Sequence, residues 1–261
     1  MATLSPPGGE RDGVRGAFIL SVFICVNPWF ENSIEMNSWL LLQSGACPSA
    51  FNMALDEVLL KESAHTGKPV LRFYRWTESA ATFGYFQKFA DVERATLLRP
   101  LIRRPTGGGI VPHDADWTYS LVFPPDHEWH LLKAEESYRR VHEWIRSAFT
   151  KLNVTTELAL RSQKSAIGCF VGYTKFDLLW NGKKIAGAAQ RRNKLGLLIQ
   201  GSVQPPPISL IRTGWEGAMC DVARGEFGIA WNDFLPDAKL CAHTDELVRG
   251  KYSRKAYNHK R

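Results

Sequence analysis

The spacing of apolar positions changes several times along the chain, and each change marks an element. Beyond Ser49, a candidate helix cap, Phe51, Ala54, Leu55, Val58 and Leu59 recur at the i, i+3, i+4 interval of a helix with one buried face, and Gly67 is placed to end it. Val70 to Trp76 has strand composition, and a second apolar segment ends at Phe83-Gly84. Leu101 to Arg104 and Thr118 to Phe123 also read as strands, separated by a glycine loop. Tyr138, Val141, Ile145, Ala148 and Leu152 mark a second amphipathic helix, expected to be the longest. From Phe176 the pattern turns antiparallel: Phe176 to Trp180, the turn Asn181-Gly182, Lys183 to Gln190, a polar turn near Asn193, then Leu197 to Val203. Pro205-Pro206-Pro207 breaks the sheet, and a helical segment around Ala238 to Val248 closes the chain. Strands mixed with helices and no internal repeat predict an α+β fold, a single domain of mixed and antiparallel sheets packed with helices.

Length agrees with one domain, since 261 residues at 44% hydrophobic can bury one sizeable core. The expected division is an N-terminal extension, residues 1–35, disordered or arising from a start before Met36, followed by a catalytic domain over 36–261. The strongly apolar stretch Phe18 to Val26 is far shorter than the roughly 20 residues a spanning helix needs, so no membrane partner is expected. Five scattered cysteines without a CxxC pair read as reduced thiols, which suggests a cytoplasmic location. The net charge is +7, and the extension is itself acidic (Arg11 and Arg15 against Glu10, Asp12, Glu31 and Glu35), so the remainder is more basic still. Such a surface attracts acidic partners. No nucleic-acid motif accompanies the basic residues, which are dispersed except over Arg249 to Arg261, so nucleic acid is not the expected partner.

Three segments carry candidate chemistry. In Arg103-Arg104-Pro105-Thr106-Gly107-Gly108-Gly109, followed by His113-Asp114, successive glycines allow a backbone to approach a ligand and present N–H groups to its oxygens; a plain flexible turn is the alternative. In the hairpin, Asn181-Gly182 as the two loop residues pairs Trp180 with Lys183, Leu179 with Lys184 and Asp177 with Ala186. Asp177 and Lys184 then share a face as diagonal neighbours, with Ala186 and Ala188 continuing that face, and the small side chains suggest room for a ligand; a surface ion pair of little worth is the alternative. Cys169 is an inert small residue unless an ammonium lies near enough to lower its pKa and make it a nucleophile.

Taken together, these segments resemble the biotin/lipoate protein ligase and octanoyltransferase superfamily. Asn52-Met53-Ala54-Leu55-Asp56-Glu57 is similar to its opening helix, and Arg72-Phe73-Tyr74-Arg75-Trp76 with Gly84-Tyr85-Phe86-Gln87-Lys88 is similar to its next strand pair. The arginine-glycine segment with His113 resembles the loop that wraps the acyl group, Gly182-Lys183-Lys184-Ile185-Ala186-Gly187-Ala188 resembles the strand carrying the family's lysine, and Tyr257-Asn258 resembles its terminal signature. The resemblance covers about residues 38–261 and implies a catalytic fold like that of class II aminoacyl-tRNA synthetases. It further implies catalytic Lys184, with Arg72, Arg104, Thr106, Gly107, Gly108, Gly109, His113, Asp177, Gly187 and Ala188 binding substrate.

Cys169, fifteen residues before Lys184, resembles the spacing in cysteine-dependent octanoyltransferases. The reaction this implies is ping-pong: a Cys169 thiolate takes octanoyl from acyl carrier protein, an acidic donor, and a lysine of a lipoyl domain removes it, without ATP or any other cofactor. The acceptor would be a lipoyl domain of a 2-oxoacid dehydrogenase or a glycine-cleavage H protein. An ATP-dependent lipoate-protein ligase is the alternative, with Mg-ATP as cofactor and Asp177 as its one candidate metal contact; Phe176 and the triple glycine bear on that choice, because Phe176 replaces the ligases' Asn and Gly109 completes a ligase-like triplet. A non-catalytic basic binding module is a second alternative, and a monomer is the family expectation.

Overall fold

The computed structural model describes residues 37–163 and 172–260, all within one compact unit, Glu35–Arg261. Cys169 and the N-terminal extension lie outside the described residues. The chain runs through β1 (Asn37–Cys47), α1 (Ser49–Thr66), β2 (Val70–Trp76), β3 (Ala80–Phe83), α2 (Phe89–Ala95), β4 (Leu101–Arg103), β5 (Val111–His113) and β6 (Trp117–Phe123). After α3 (Glu128–Leu131) and α4 (Ala134–Lys151) come β7 (Glu157–Leu158), β8 (Leu178–Trp180), β9 (Lys183–Asn193) and β10 (Gly196–Val203). The remainder is α5 (Arg212–Phe227), β11 (Ile229–Asp233), α6 (Ala238–Leu247), a π-helical turn Val248–Tyr252 and α7 (Lys255–Asn258).

Eight strands form one mixed sheet in the order β11-β1-β2-β6-β10-β9-β8-β7, and β4-β3-β5 form a small second sheet. Alternation along the central strands sends residues to two different cores. Leu71 and Phe73 of β2, Leu121 and Phe123 of β6, and Leu197 and Ile199 of β10 pack with Val141, Trp144, Ile145 and Phe149 of α4 and Met219 of α5. The intervening Val70, Val122 and Leu198 pack with Leu55, Val58 and Leu59 of α1 and Leu240 of α6. The α+β expectation therefore holds, with helices on both faces of the large sheet.

The second face changes character along its strands, and that change positions the site. Its first row across four strands is Val70, Val122, Leu198 and Arg191; its second is Arg72, Ser120, Gln200 and Ala189; its third is Tyr74, Thr118, Ser202 and Gly187. Val70, Val122 and Leu198 of the first row lie under α1, Arg72, Ser120 and Gln200 of the second bond to Asp56 of the same helix, and every member of the third borders an open cavity.

Several local expectations are corrected. Ser49 opens α1 but does not cap it; its backbone N–H and hydroxyl both donate to Glu78 Oε1 (2.8 and 2.7 Å), so a carboxylate 29 residues away satisfies the helix start. Gly67 ends the helix in the left-handed conformation as expected. The Asn181-Gly182 turn has both residues at positive φ and pairs Trp180 with Lys183 and Leu179 with Lys184, but Leu178, not Asp177, is opposite Ala186. Ile185 is an extra residue in β9, a bulge that reverses the strand's parity. Ile185 and Ala186 both enter the core, so Gly187 and Ala189, with Ala188 between them, follow Lys184 at the cavity, and Ala186 does not.

Candidate active site

A cavity of about 430 Å³ opens over the third row, within the range of about 300–1,000 Å³ typical for small ligands. Tyr74, Thr118, Ser202 and Gly187 line its floor across four adjacent strands, and at about 4.8 Å per strand the floor runs roughly 14 Å. Met53 of α1, Trp76 and Val111 add apolar surface, and Gly108 and Gly109 border it.

Lys184 marks one side of this cavity. Its Nζ is 2.8 Å from Asp177 Oδ2, and Asp177 is wholly buried. The carboxylate is held by three further donors: Tyr138 O–H at Oδ1, and the Thr174 N–H (2.7 Å) and hydroxyl (3.2 Å) at Oδ2. Burial, reinforced by the charge of Asp177, pushes the Tyr138 ionisation well above the ordinary tyrosine range, so this hydroxyl remains a donor at neutral pH. Its oxygen in turn accepts from the Ala188 N–H (3.3 Å), joining α4 to β9. Gly187 leaves room for this lysine: a Cβ at this position would be 2.6 and 2.7 Å from Lys184 Cε and Nζ and would displace the ammonium. Behind Tyr138, His142 donates its Nδ1–H to the Tyr138 carbonyl (2.8 Å), and burial lowers its pKa to about 4, so it is neutral.

The opposite wall is a hydrogen-bonded chain. Arg104 NH1 donates to Thr82 Oγ1 (2.9 Å), Thr82 Oγ1 is 2.7 Å from His113 Nε2, His113 Nδ1 is 2.9 Å from Asp116 Oδ2, and Ser202 Oγ donates to that same oxygen (2.6 Å). Trp76 stacks on the imidazole at 3.8 Å. Arg104 also donates to the Gly107 and Gly109 carbonyls (2.8 Å each), fixing the glycine loop, while Gly108 takes a positive φ and its carbonyl approaches Gly84 so closely that a Cβ there would be 1.9 Å away.

Among the sequence-expected residues, Lys184, Arg104, Gly108, Gly109, His113, Gly187 and Ala188 line the cavity. Asp177 acts on it through Lys184, and Thr106 through its hydroxyl bond to Gln200 Oε1 (2.7 Å). Arg72 does not reach it: the guanidinium is fully buried against Asp56 (2.7 Å), Asn52 and Ser44. Gly107 contributes its carbonyl to Arg104 rather than a wall. Of the histidine's two nearby carboxylates, Asp116 is the partner and Asp114 is exposed. Tyr138, Thr82 and Asp116 were not singled out by sequence; Tyr138 stood in the helical stripe as a core position, and its i, i+4 partner His142 was the one local sign of polarity on that stripe.

Residues 48–204 match the family model for the lipoyl protein ligase A/B catalytic domain. The chain is 38% identical over 181 residues to the octanoyltransferase LipM of Geobacillus kaustophilus, an alignment spanning 63% of this chain and 64% of that protein. The match thus covers just under two thirds of that relative's length. Among solved structures, a lipoate-protein ligase A bound with ATP superposes with a TM-score of 0.70 at 22% identity, covering 86% of this chain and 99% of that one. A bipartite lipoate protein ligase of Thermoplasma acidophilum, studied with its E2 lipoyl domain, gives 0.64 at 20%, covering 86% and 96%. At these identities the structural likeness establishes the fold.

Proposed function

The chain belongs to the lipoyl protein ligase A/B catalytic domain family, and on that premise we propose that it is an acyltransferase moving an octanoyl group from acyl carrier protein to a lysine of a lipoyl-type acceptor domain through a Cys169 thioester. One observation carries the reading: the fixed ammonium of Lys184 lines an acyl-sized slot that is also lined by Gln163, Gly172, Tyr173 and Thr174, the described residues on either side of the segment containing Cys169. The name of the LipM relative supports octanoyl as the group transferred.

In this mechanism the Cys169 sulfur, as thiolate, attacks the donor's thioester carbonyl, and the carbonyl π electrons move to oxygen. Lys184 Nζ, positioned by Asp177, donates to that oxyanion and favours the thiolate beforehand. Collapse expels the carrier's thiolate, which takes a proton, and leaves octanoyl on Cys169. The unprotonated amine of the acceptor lysine then attacks the new thioester, loses a proton, and releases the Cys169 sulfur with formation of the amide. Throughout, the eight-carbon chain occupies the slot over Tyr74, Thr118 and Ser202. No cofactor enters, because the donor thioester is already activated. The reaction would take place in the cytoplasm, with a lipoyl domain of a 2-oxoacid dehydrogenase or a glycine-cleavage H protein as acceptor.

For the ATP-dependent ligase, Asp177 weighs against the alternative. Both of its oxygens are engaged by Tyr138, Thr174 and Lys184, so it could contact magnesium only by surrendering bonds that hold the lysine. The deciding assay supplies an unmodified lipoyl domain with either octanoyl-acyl carrier protein alone or octanoate plus Mg-ATP. Modification with the first mixture is expected; modification with only the second would replace the transferase reading by the ligase.

A further inference from the structure

Beside the glycine loop, cations gather on tyrosine rings. Lys251 Nζ lies 4.7 Å and Lys260 Nζ 4.9 Å from the Tyr257 ring centroid; Lys260 also sits 4.0 Å over Tyr85 and donates to its hydroxyl (2.9 Å). Arg191 reaches the Pro105 carbonyl (3.5 Å), and Lys61 is 3.6 Å from Glu57 Oε1 while Lys251 and Tyr252 bind Oε2. Burial lowers the Lys251 pKa, against the pull of the Glu57 carboxylate. Lys61 and Lys251 thus flank one buried carboxylate, Lys260 shares the Tyr257 ring with Lys251 and reaches Tyr85, and the Tyr85 ring is 5.2 Å from that of Phe86, 73% exposed, with Lys88 two residues on.

This surface is built into the site's frame. Buried Arg103 ties the two segments together, donating to the Tyr85 and Gln87 carbonyls (2.8 and 2.7 Å) on one side and to the Asn258 carbonyl (2.9 Å) on the other. Tyr85 N–H donates to the Thr106 carbonyl (2.8 Å), so the surface adjoins the same loop whose Gly108 and Gly109 line the cavity. An exposed aromatic anchor rimmed by cations is the composition of a protein-binding surface.

We infer that Lys61, Arg191, Lys251, Lys260 and Phe86 form the docking surface for the acidic carrier domain that delivers the acyl thioester. The inference rests on the transferase reading above. A carrier holding its thioester on a flexible arm has to dock within that arm's reach of the cavity, and this surface meets the requirement by bordering the loop that lines it. Complementary charge there accelerates encounter and is screened by salt, whereas the chemistry at Lys184 is not.

The test compares two donors, octanoyl-acyl carrier protein and octanoyl-pantetheine, with wild type, Lys61→Glu/Lys260→Glu and Phe86→Ala. For both variants KM for the carrier donor is expected to rise about tenfold or more, with octanoyl-pantetheine kinetics and the acceptor domain's KM unchanged within about twofold. Added salt should raise the wild-type KM for the carrier donor alone, a readout that needs no variant to fold. Equal losses with both donors, a rise in acceptor KM instead, no change, or duplex-DNA binding that depends on these lysines without affecting the carrier KM would each overturn the inference. Wild type inactive with both donors would instead refute the transferase reading.

Discussion

Asp56 and Asp177 are both wholly buried carboxylates, each surrounded by four donor groups, yet they serve opposite ends of the molecule's task. Asp56 accepts from Arg72 and Ser120 at Oδ1 and from Gln200 and Tyr74 at Oδ2, and its charge is neutralised by an arginine that never reaches the cavity. Asp177 accepts from Tyr138 at Oδ1 and from Thr174 and Lys184 at Oδ2, and its cation is a cavity-lining lysine. Local chemistry is nearly the same; what differs is whether the cation opens onto the slot. Asp56 clamps α1 to the sheet, and Asp177 aims a charge.

That contrast can be broken from either side, beginning with the largest effect. Asp56→Ala leaves Arg72 buried and unpaired, and urea denaturation should show a loss of about 3–5 kcal/mol; a loss below about 1 kcal/mol would mean the clamp is not structural. Lys184→Ala should lower kcat/KM by about 10²–10³, as removal of a single oxyanion donor does, and should also lower the melting midpoint because it leaves buried Asp177 without its cation. Gly187→Ala forces Lys184 Nζ or Asp177 to move, and single-turnover transfer should slow by roughly 10–10², since small misplacements in an active site are costly.

His142 supplies a pH test of the wall behind Asp177. Its pKa falls from 6.5 to about 4 on folding, so the unfolded chain binds more protons below pH 6.5. The stability it permits is complete above pH 6.5 and is lost as pH falls toward 4, a cost of about 2 kcal/mol at pH 5. Denaturation midpoints of His142→Gln should lack this component, and a slope identical to wild type would contradict it. The smallest expected change is Tyr138→Phe, which removes one of four donors to Asp177: kcat should fall about tenfold with KM nearly constant. An unchanged kcat would show that Thr174 alone aims the carboxylate.

Much of this arrangement is legible in the sequence, and the exceptions have physical causes. Hairpin pairing at Trp180 and Leu179 follows from Asn181-Gly182, because that turn fixes register locally. The bulge at Ile185 does not follow from the turn, and it sends Ala186 into the core, leaving Gly187, Ala188 and Ala189 at the slot. Arg103 and Arg104 are adjacent in sequence but opposite in role, one locking the C-terminal Asn258 and the other the glycine loop, as alternation along an extended segment requires. Arg72 belongs to the family pattern through Asp56 rather than through substrate, a distinction that only the buried partner reveals. Strands β1 and β11 pair in parallel across almost the whole chain length, and no local signal announces such a pairing.

The central claim is that Lys184 and Cys169 act on one carbonyl in one slot. Its most direct measurement is intact-protein mass spectrometry of the chain mixed with octanoyl-acyl carrier protein in the absence of ATP, alongside Cys169→Ser and Lys184→Ala. The account predicts an octanoyl adduct on wild type that hydroxylamine removes, no such thioester on Cys169→Ser, and greatly slowed formation on Lys184→Ala. An adduct that forms equally well on all three proteins, or none on any while a lipoyl domain still becomes octanoylated, would contradict it.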